Sequence, residues 1–266
     1  MSIFWYEQSS SDVPDVNIWL SERERAYLEG LKFSKRRSDW RLGRWTAKRS
    51  VAAILGLPGA VSSLSKIEIF PSRSGAPMVF VGHAPTRFAI SLSHRCGKAV
   101  CALGPASARI GCDLELVENR DAVFVSDYFA IEEISMLNDA PEEKRALIIT
   151  LLWSAKESAL KALHLGLRLD TRDLGVFFSN SLSLERNKFW LDNYPIGLAD
   201  SEAPVQRDLP AALWQPFQVK LRNMPAFIGW WRNPDQFVHT LLVRYQPARC
   251  VEDSTDAGTV VASKAG

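Results

Sequence analysis

Apolar positions along this chain recur with two periods. Alternation or short apolar runs predict strands at Ile67 to Phe70, at Phe88 to His94 (FAISLSH) and, after a break at Arg95 to Lys98, at Ala99 to Leu103. The same signal recurs at Ile110 to Leu116, Leu174 to Phe178, Phe189 to Leu191, Phe217 to Leu221, Phe227 to Trp231 and Phe237 to Arg244, so the second half is expected to hold a sheet. Helical spacing fills the gaps. Ser21-Glu22-Arg23-Glu24 has capping-box form and opens a short helix stopping near Gly30. Trp40, Leu42, Trp45, Ala52, Ile54 and Leu55 give the next segment a buried side, and Val123 to Leu137 reads as one helix. Pro141 suits the first turn of a long helix running to about His164, with Gly166 as its stop. Pro71 to Pro77 is turn-rich, and Asp200 to Pro210 is polar enough for an exposed loop.

At 266 residues, 47% hydrophobic and 23% charged, the chain has the composition of an ordinary soluble globular protein with one large or two ordinary domains. It has no apolar run long enough to span a membrane, and MSIFWYEQSS lacks a basic, apolar leader pattern, so a cytoplasmic protein with no membrane partner is expected. Four cysteines, Cys96, Cys101, Cys112 and Cys250, show no zinc-site spacing, and no disulfide is expected. Charge is more informative. Lys32 to Arg49 carries eight basic residues against Asp39, a local +7 in a chain that totals +2, so the remainder sums to −5. Such a face is either solvated or a site for phosphate.

Two stretches carry candidate chemistry. In Ile110 to Leu116 (IGCDLEL), alternation puts Gly111, Asp113 and Glu115 on one face, which is expected to be wet, with the carboxylates about 7 Å apart. In Trp153 to Lys161 (WSAKESALK), Glu157 and Lys161 share a helix face one turn apart. Each alone reads as an ordinary surface feature. Together they suggest three carboxylates around a hard divalent cation, with a lysine for phosphate oxygens. A metal-dependent nuclease and a basic nucleic-acid-binding module are the alternatives. The nuclease pattern fails at Val117, where an acidic-x-lysine strand would place its lysine, and the binding module needs neither carboxylates nor Glu-x-x-x-Lys.

The G-x-D-x-E strand, Gly111 to Glu115, and the W-x-x-K-E-x-x-x-K helix, Trp153 to Lys161, resemble those of the 4'-phosphopantetheinyl transferases, in particular the larger monomeric type that activates nonribosomal peptide and polyketide synthases. The resemblance implies a mixed α+β (α/β) fold of two similar subdomains related by pseudo-twofold symmetry, with the active site between them. The expected divisions are 1–106, 107–248 and a disordered tail at 249–266. It also implies transfer of phosphopantetheine from coenzyme A to a serine of an apo acyl or peptidyl carrier protein, releasing adenosine 3',5'-bisphosphate. Neither nucleic acid nor a second copy of the chain is then an expected partner. Asp113, Glu115 and Glu157 would hold Mg²⁺, with Mn²⁺ an alternative, and Lys161 would meet phosphate. Glu157, Glu133 or a metal-bound water would take the serine proton. Gly43, Arg44 and Lys48 match a G-R-x-x-x-R helix, with lysine in the last place, and Ser93-His94 matches a Ser-His that reaches a coenzyme phosphate. Arg36, Arg37 and Arg41 are further phosphate candidates. Ala76 stands where the family carries a basic residue, which leaves Arg73 to compensate.

Overall fold

The computed structural model describes residues 3–58, 60–178, 196–199, 214–222 and 224–245. Strand β1 (Ile3–Ser9) leads to helices α1 (Glu22–Glu29) and α2 (Ser34–Ile54), then to β2 (Ile67–Pro71), β3 (Pro77–Val81), β4 (Ala84–Pro85), β5 (Phe88–Arg95) and β6 (Lys98–Pro105). Next come β7 (Ala108–Leu116), α3 (Ala122–Tyr128), α4 (Ile131–Asp139), α5 (Glu142–Leu163), β8 (Leu174–Phe178), β9 (Ile196–Ala199), β10 (Gln215–Leu221), β11 (Phe227–Arg232) and β12 (Phe237–Tyr245). The result is a mixed helix and sheet fold. One sheet has the order β5-β6-β1-β9, a second β7-β12-β11-β10-β8, and a small third β2-β3-β4. No helix among the described residues is long and apolar enough to cross a membrane.

Helix α2 covers the first sheet through Trp45, Ala47 and Val51, and α5 covers the second through Leu152, Ala155 and Ala159. A third core joins the sheets: Ile3, Trp5, Val100 and Ala102 meet Ile110, Cys112, Leu114, Trp230 and Leu241. Strands β5 and β7 belong to different sheets yet are tied side to side, since the Cys112 N–H donates to Ser91 Oγ at 2.9 Å. A two-residue gap, Ala106 and Ser107, separates β6 of one sheet from β7 of the other.

The two helical layers are fastened by the same device, used twice. Glu24 caps α1 by accepting from Ser21 N–H at 3.1 Å, and its other oxygen accepts from Ile69 N–H of β2 at 3.1 Å. Lys48 of α2, fully buried, pairs with Glu24 and donates to the carbonyls of Trp19 (2.9 Å) and Leu64 (3.2 Å). In the second half Glu133 caps α4 by accepting from Ala130 N–H at 2.9 Å and accepts from Val176 N–H of β8 at 3.1 Å. Lys156 of α5, also fully buried, pairs with Glu133 at 2.8 Å and donates to the carbonyls of Thr171 (2.7 Å) and Leu174 (2.8 Å). Burial pulls both lysines down in pKa and their glutamates oppose it.

Several expectations are corrected. The stretch Val123 to Leu137 is two helices: Phe129 is extended and buried, and Glu133 caps a new start at Ala130. Helix α5 stops at His164 in the left-handed region, before Gly166. Strands β1, β3, β4 and β9 lie outside the segments whose pattern predicts a strand. The face of β7 bearing Gly111 and Asp113 is covered by α5, so it is not wet. Phe189 to Leu191, Asp200 to Pro210 and the tail 249–266 lie outside the described residues.

Removing one partner from a buried ion pair strands a charge, at a cost of about 3–5 kcal/mol. Lys48→Met and Lys156→Met are each expected to lower unfolding free energy by that order in chemical denaturation. Replacing both members of either pair with apolar residues is expected to cost less than the lysine change alone. Equal stability of Lys48→Met and the parent chain would show that the clamp is not structural.

Candidate active site

Packing of α5 on β7 builds the site. A Cβ on Gly111 would fall 1.8 Å from the Ser158 carbonyl oxygen, so glycine alone lets helix and strand meet this closely. Ser158 and Ser154 of α5 share the Thr240 hydroxyl of neighbouring β12 at 2.6 and 2.9 Å, which fixes the helix along the sheet. Lys161, three residues beyond Ser158, then reaches β7. Its Nζ donates to Asp113 Oδ1 at 2.7 Å, to Ser93 Oγ of β5 at 3.0 Å and to the Cys112 carbonyl at 3.0 Å. Ser93 also donates to Asp113 Oδ1 at 2.8 Å. Burial alone would depress the Lys161 pKa, but Asp113 and its neighbours outweigh it and the net shift is upward. The ammonium is therefore firmly charged. Its direct carboxylate contact is Asp113 rather than Glu157 one turn away on the same helix.

The carboxylates around it are held against their preference for water. Asp113 is buried, and its Oδ2 has no hydrogen-bond partner. Burial first and Asp113 second push the Glu115 carboxyl up to about 7, against the pull of Arg95 and Arg120. Glu115 Oε2 lies at ion-pair distance from Arg95 Nε (3.5 Å) and Arg120 Nη2 (3.9 Å) but hydrogen-bonds to neither. Both guanidinium groups favour Glu118, at 2.5 and 2.7 Å. The Glu157 carboxyl is also raised, by burial and by Asp113, with Lys161 opposing. Hard oxygen donors with unpartnered buried atoms suit a divalent cation by type. Among the described residues no three such side chains already converge as a metal cage, and Lys161 occupies one Asp113 oxygen.

A cleft of about 390 Å³ leads away from Lys161. Arg44 of α2, the turn from Pro71 to Pro77, strand β5 at Ile90 to Leu92, and Leu160 and His164 of α5 line it. A second recess of about 450 Å³ is lined by Arg36, Lys35, Asp39, Trp40 and His94. Gly43 faces His94, where a Cβ would sit 3.8 Å from the imidazole. Ser93, Asp113, Glu115, Glu157 and Lys161 are thus brought together, with Arg44 on the cleft wall and His94 and Arg36 in the adjoining recess. Arg73 is exposed on the turn and does not line the cleft. Arg37 reaches the Leu31 carbonyl at 3.4 Å, and Arg41 the carbonyls of Pro14 and Asp15.

Two expected site residues are corrected. Lys48 and Glu133 are buried in the two clamps, their polar atoms spent on each clamp's own partners, so neither faces the cleft. Three contributors were missed: Arg95 and Arg120 beside Glu115, and His164 on the cleft wall. Arg95 adjoins the Ser-His pair in sequence, but its contact with Glu115 depends on β5 crossing β7.

A carboxyl whose folded pKa is raised destabilises the fold once ionised, so wild-type stability is full at low pH and is lost as pH rises through about 7. Glu115→Gln removes that cost. Thermal unfolding in chelating buffer is expected to show the variant more stable by on the order of 1–3 kcal/mol at pH 8 and equal at pH 4. A gain that persists undiminished at pH 4 would contradict this assignment.

No curated protein sequence matches the chain. Among solved structures, a holo-(acyl-carrier-protein) synthase from Bacillus anthracis str. Ames, in complex with CoA (3',5'-ADP), aligns at 24% identity and TM-score 0.33, covering 38% of this chain and 91% of that one. The holo-[acyl-carrier-protein] synthase of Thermotoga maritima aligns at 22% identity and TM-score 0.31, covering 48% and 73%. Residues 109–206, which include β7, Glu157 and Lys161, match the family model of the 4'-phosphopantetheinyl transferase superfamily. The segment that carries the carboxylate strand and the Lys161 helix is thus similar to the 4'-phosphopantetheinyl transferase superfamily.

Proposed function

We propose that this chain transfers 4'-phosphopantetheine from coenzyme A to a serine hydroxyl of an apo acyl or peptidyl carrier protein, releasing adenosine 3',5'-bisphosphate, as a monomeric enzyme of the larger type. The observation that carries the proposal is the position of Lys161. Its ammonium stands between the carboxylates of β7 and a cleft walled by Arg44 and the 71–77 turn; with its three N–H bonds directed at Asp113, Ser93 and Cys112, it offers its charge to a phosphate in the cleft and can exchange one of those bonds for a phosphate oxygen.

The residues divide the work by charge. Arg44 on the cleft wall, with Arg36 and His94 in the adjoining recess, supplies donors for the phosphates of the nucleotide end. Lys161 places a compact positive charge against the oxygens of the transferring group, where negative charge grows as the pyrophosphate bond breaks. Asp113, Glu115 and Glu157 would hold Mg²⁺ or Mn²⁺, which when bound supplies Lewis-acid neutralisation of the pyrophosphate. Glu157, its carboxyl raised by burial, is the protein group best suited to accept the serine proton. Glu133 has no part in this step, because its oxygens are already bonded within the α4 clamp.

Mass spectrometry tests the activity directly. Incubation with coenzyme A, Mg²⁺ and an apo carrier protein is expected to add phosphopantetheine to the carrier, and no adduct on any acyl or peptidyl carrier would overturn the proposal. Lys161→Ala is expected to lower kcat/KM for coenzyme A by roughly 30-fold to 1000-fold, the loss of about 2–4 kcal/mol of transition-state stabilisation. Its melting temperature should also fall, since Asp113 loses its ammonium partner. Lys161→Arg should restore the melting temperature better than the rate, because a planar fork replaces a point charge.

A further inference from the structure

Helix α5 ends in a conformation that favours glycine, yet the residue there is histidine. His164 sits at φ 57, ψ 30, with its N–H still bonded to the Lys161 carbonyl at 3.1 Å. Glycine occupies this region freely, whereas a residue with a Cβ crowds its own carbonyl there, and histidine is not the residue that ends helices this way as a rule. The next glycine, Gly166, also has positive φ, so the chain reversal does not depend on an imidazole. A strained residue on the wall of a cleft points to use of its side chain.

The side chain is set up as a hydrogen-bond donor. His164 Nδ1 lies 3.5 Å from Nη1 of Arg109, the second residue of β7. A guanidinium can only donate, so Nδ1 accepts and the ring proton resides on Nε2. Burial and the Arg109 charge both hold the ring neutral. Nε2–H is then the group His164 has to offer a ligand in the cleft it lines.

The cleft defines what that ligand is. Lys161 and Arg44 put positive charge at its polar side, while Ile90, Leu92, Leu160 and Pro77 give it apolar walls. Charge beside apolar walls fits a flat heteroaromatic ring joined to phosphates. On the turn, Ala76 offers no side-chain donor.

We propose that His164 reads the nucleobase of the coenzyme, donating Nε2–H to a ring nitrogen of adenine, with Arg109 as the positioning residue that fixes the tautomer. This rests on coenzyme A being the ligand, as proposed above.

The strain supplies a clean variant. His164→Gly removes the donor and relaxes the helix end, so its melting temperature is expected to equal or exceed that of the parent. Calorimetry with adenosine 3',5'-bisphosphate, which carries the base, is expected to show binding weakened about tenfold, on the scale of one hydrogen bond. Competition by 4'-phosphopantetheine, which lacks the base, should be unchanged. His164→Asn, which tolerates the backbone and retains an N–H donor, should recover part of the loss. Equal affinity of parent and His164→Gly for the bisphosphate overturns the inference alone, as does equal weakening of both ligands. A parent chain that binds neither ligand nor coenzyme A overturns the proposed activity as well.

Discussion

The close contact between α5 and β7 at Gly111 is the constraint on which the site depends. Helix and strand carry the opposed charges, but neither could deliver them alone. Without a side chain at Gly111 the Ser158 backbone sits directly on the strand, and the hydroxyls of Ser154, Ser158 and Thr240 lock the helix along its length. Lys161 then lands within bonding distance of Asp113 by geometry rather than by search. An ammonium and a carboxylate so placed also hold Ser93 of the other sheet, so one contact joins the site to both halves of the fold.

Helix α5 separates its charges by direction. Lys156 and Lys161 are five residues apart, which places them about 140° apart around the axis. One points into the clamp with Glu133, and the other points toward β7. A buried lysine is costly unless it is fully bonded, and Lys156 meets three acceptors. The anchored lysine fixes the rotation of the helix, and that rotation aims the second lysine.

Much of this was legible in the sequence, and what was not has identifiable causes. Alternation located β2, β5 to β8 and β10 to β12, and the two motifs marked the strand and helix that form the site. Pattern alone misjudged the exposure of Gly111 and Asp113, because period two assigns residues to faces but does not say what covers a face. Lys48 and Glu133 are site candidates only through resemblance, which matches positions in a motif without saying which side of a helix faces the cleft. Their burial is a tertiary fact, set by cap geometry and by acceptors from four different segments. Strand β1 escaped notice because IFWYEQS is too mixed to alternate cleanly. His164 gave no signal, since a left-handed backbone cannot be read from a helical pattern that simply continues into it.

The doubled clamp separates how a helix is held from what it presents. Trp45 to Ser50 reads WTAKRS and Trp153 to Ser158 reads WSAKES, and in each case the lysine binds the glutamate of a cap that also takes an N–H from a strand. The same clamp thus stands among different neighbours in each half. Where Trp153 lies against Glu115, Trp45 donates to Gln8 at 2.8 Å, and where Glu157 and Lys161 follow Lys156, Arg49 and Ala53 follow Lys48. A buried lysine bonded on every side fixes how a helix is rotated without dictating what its other faces carry, so the same fastening can sit behind a charged, reactive face in one half and behind a cleft wall in the other.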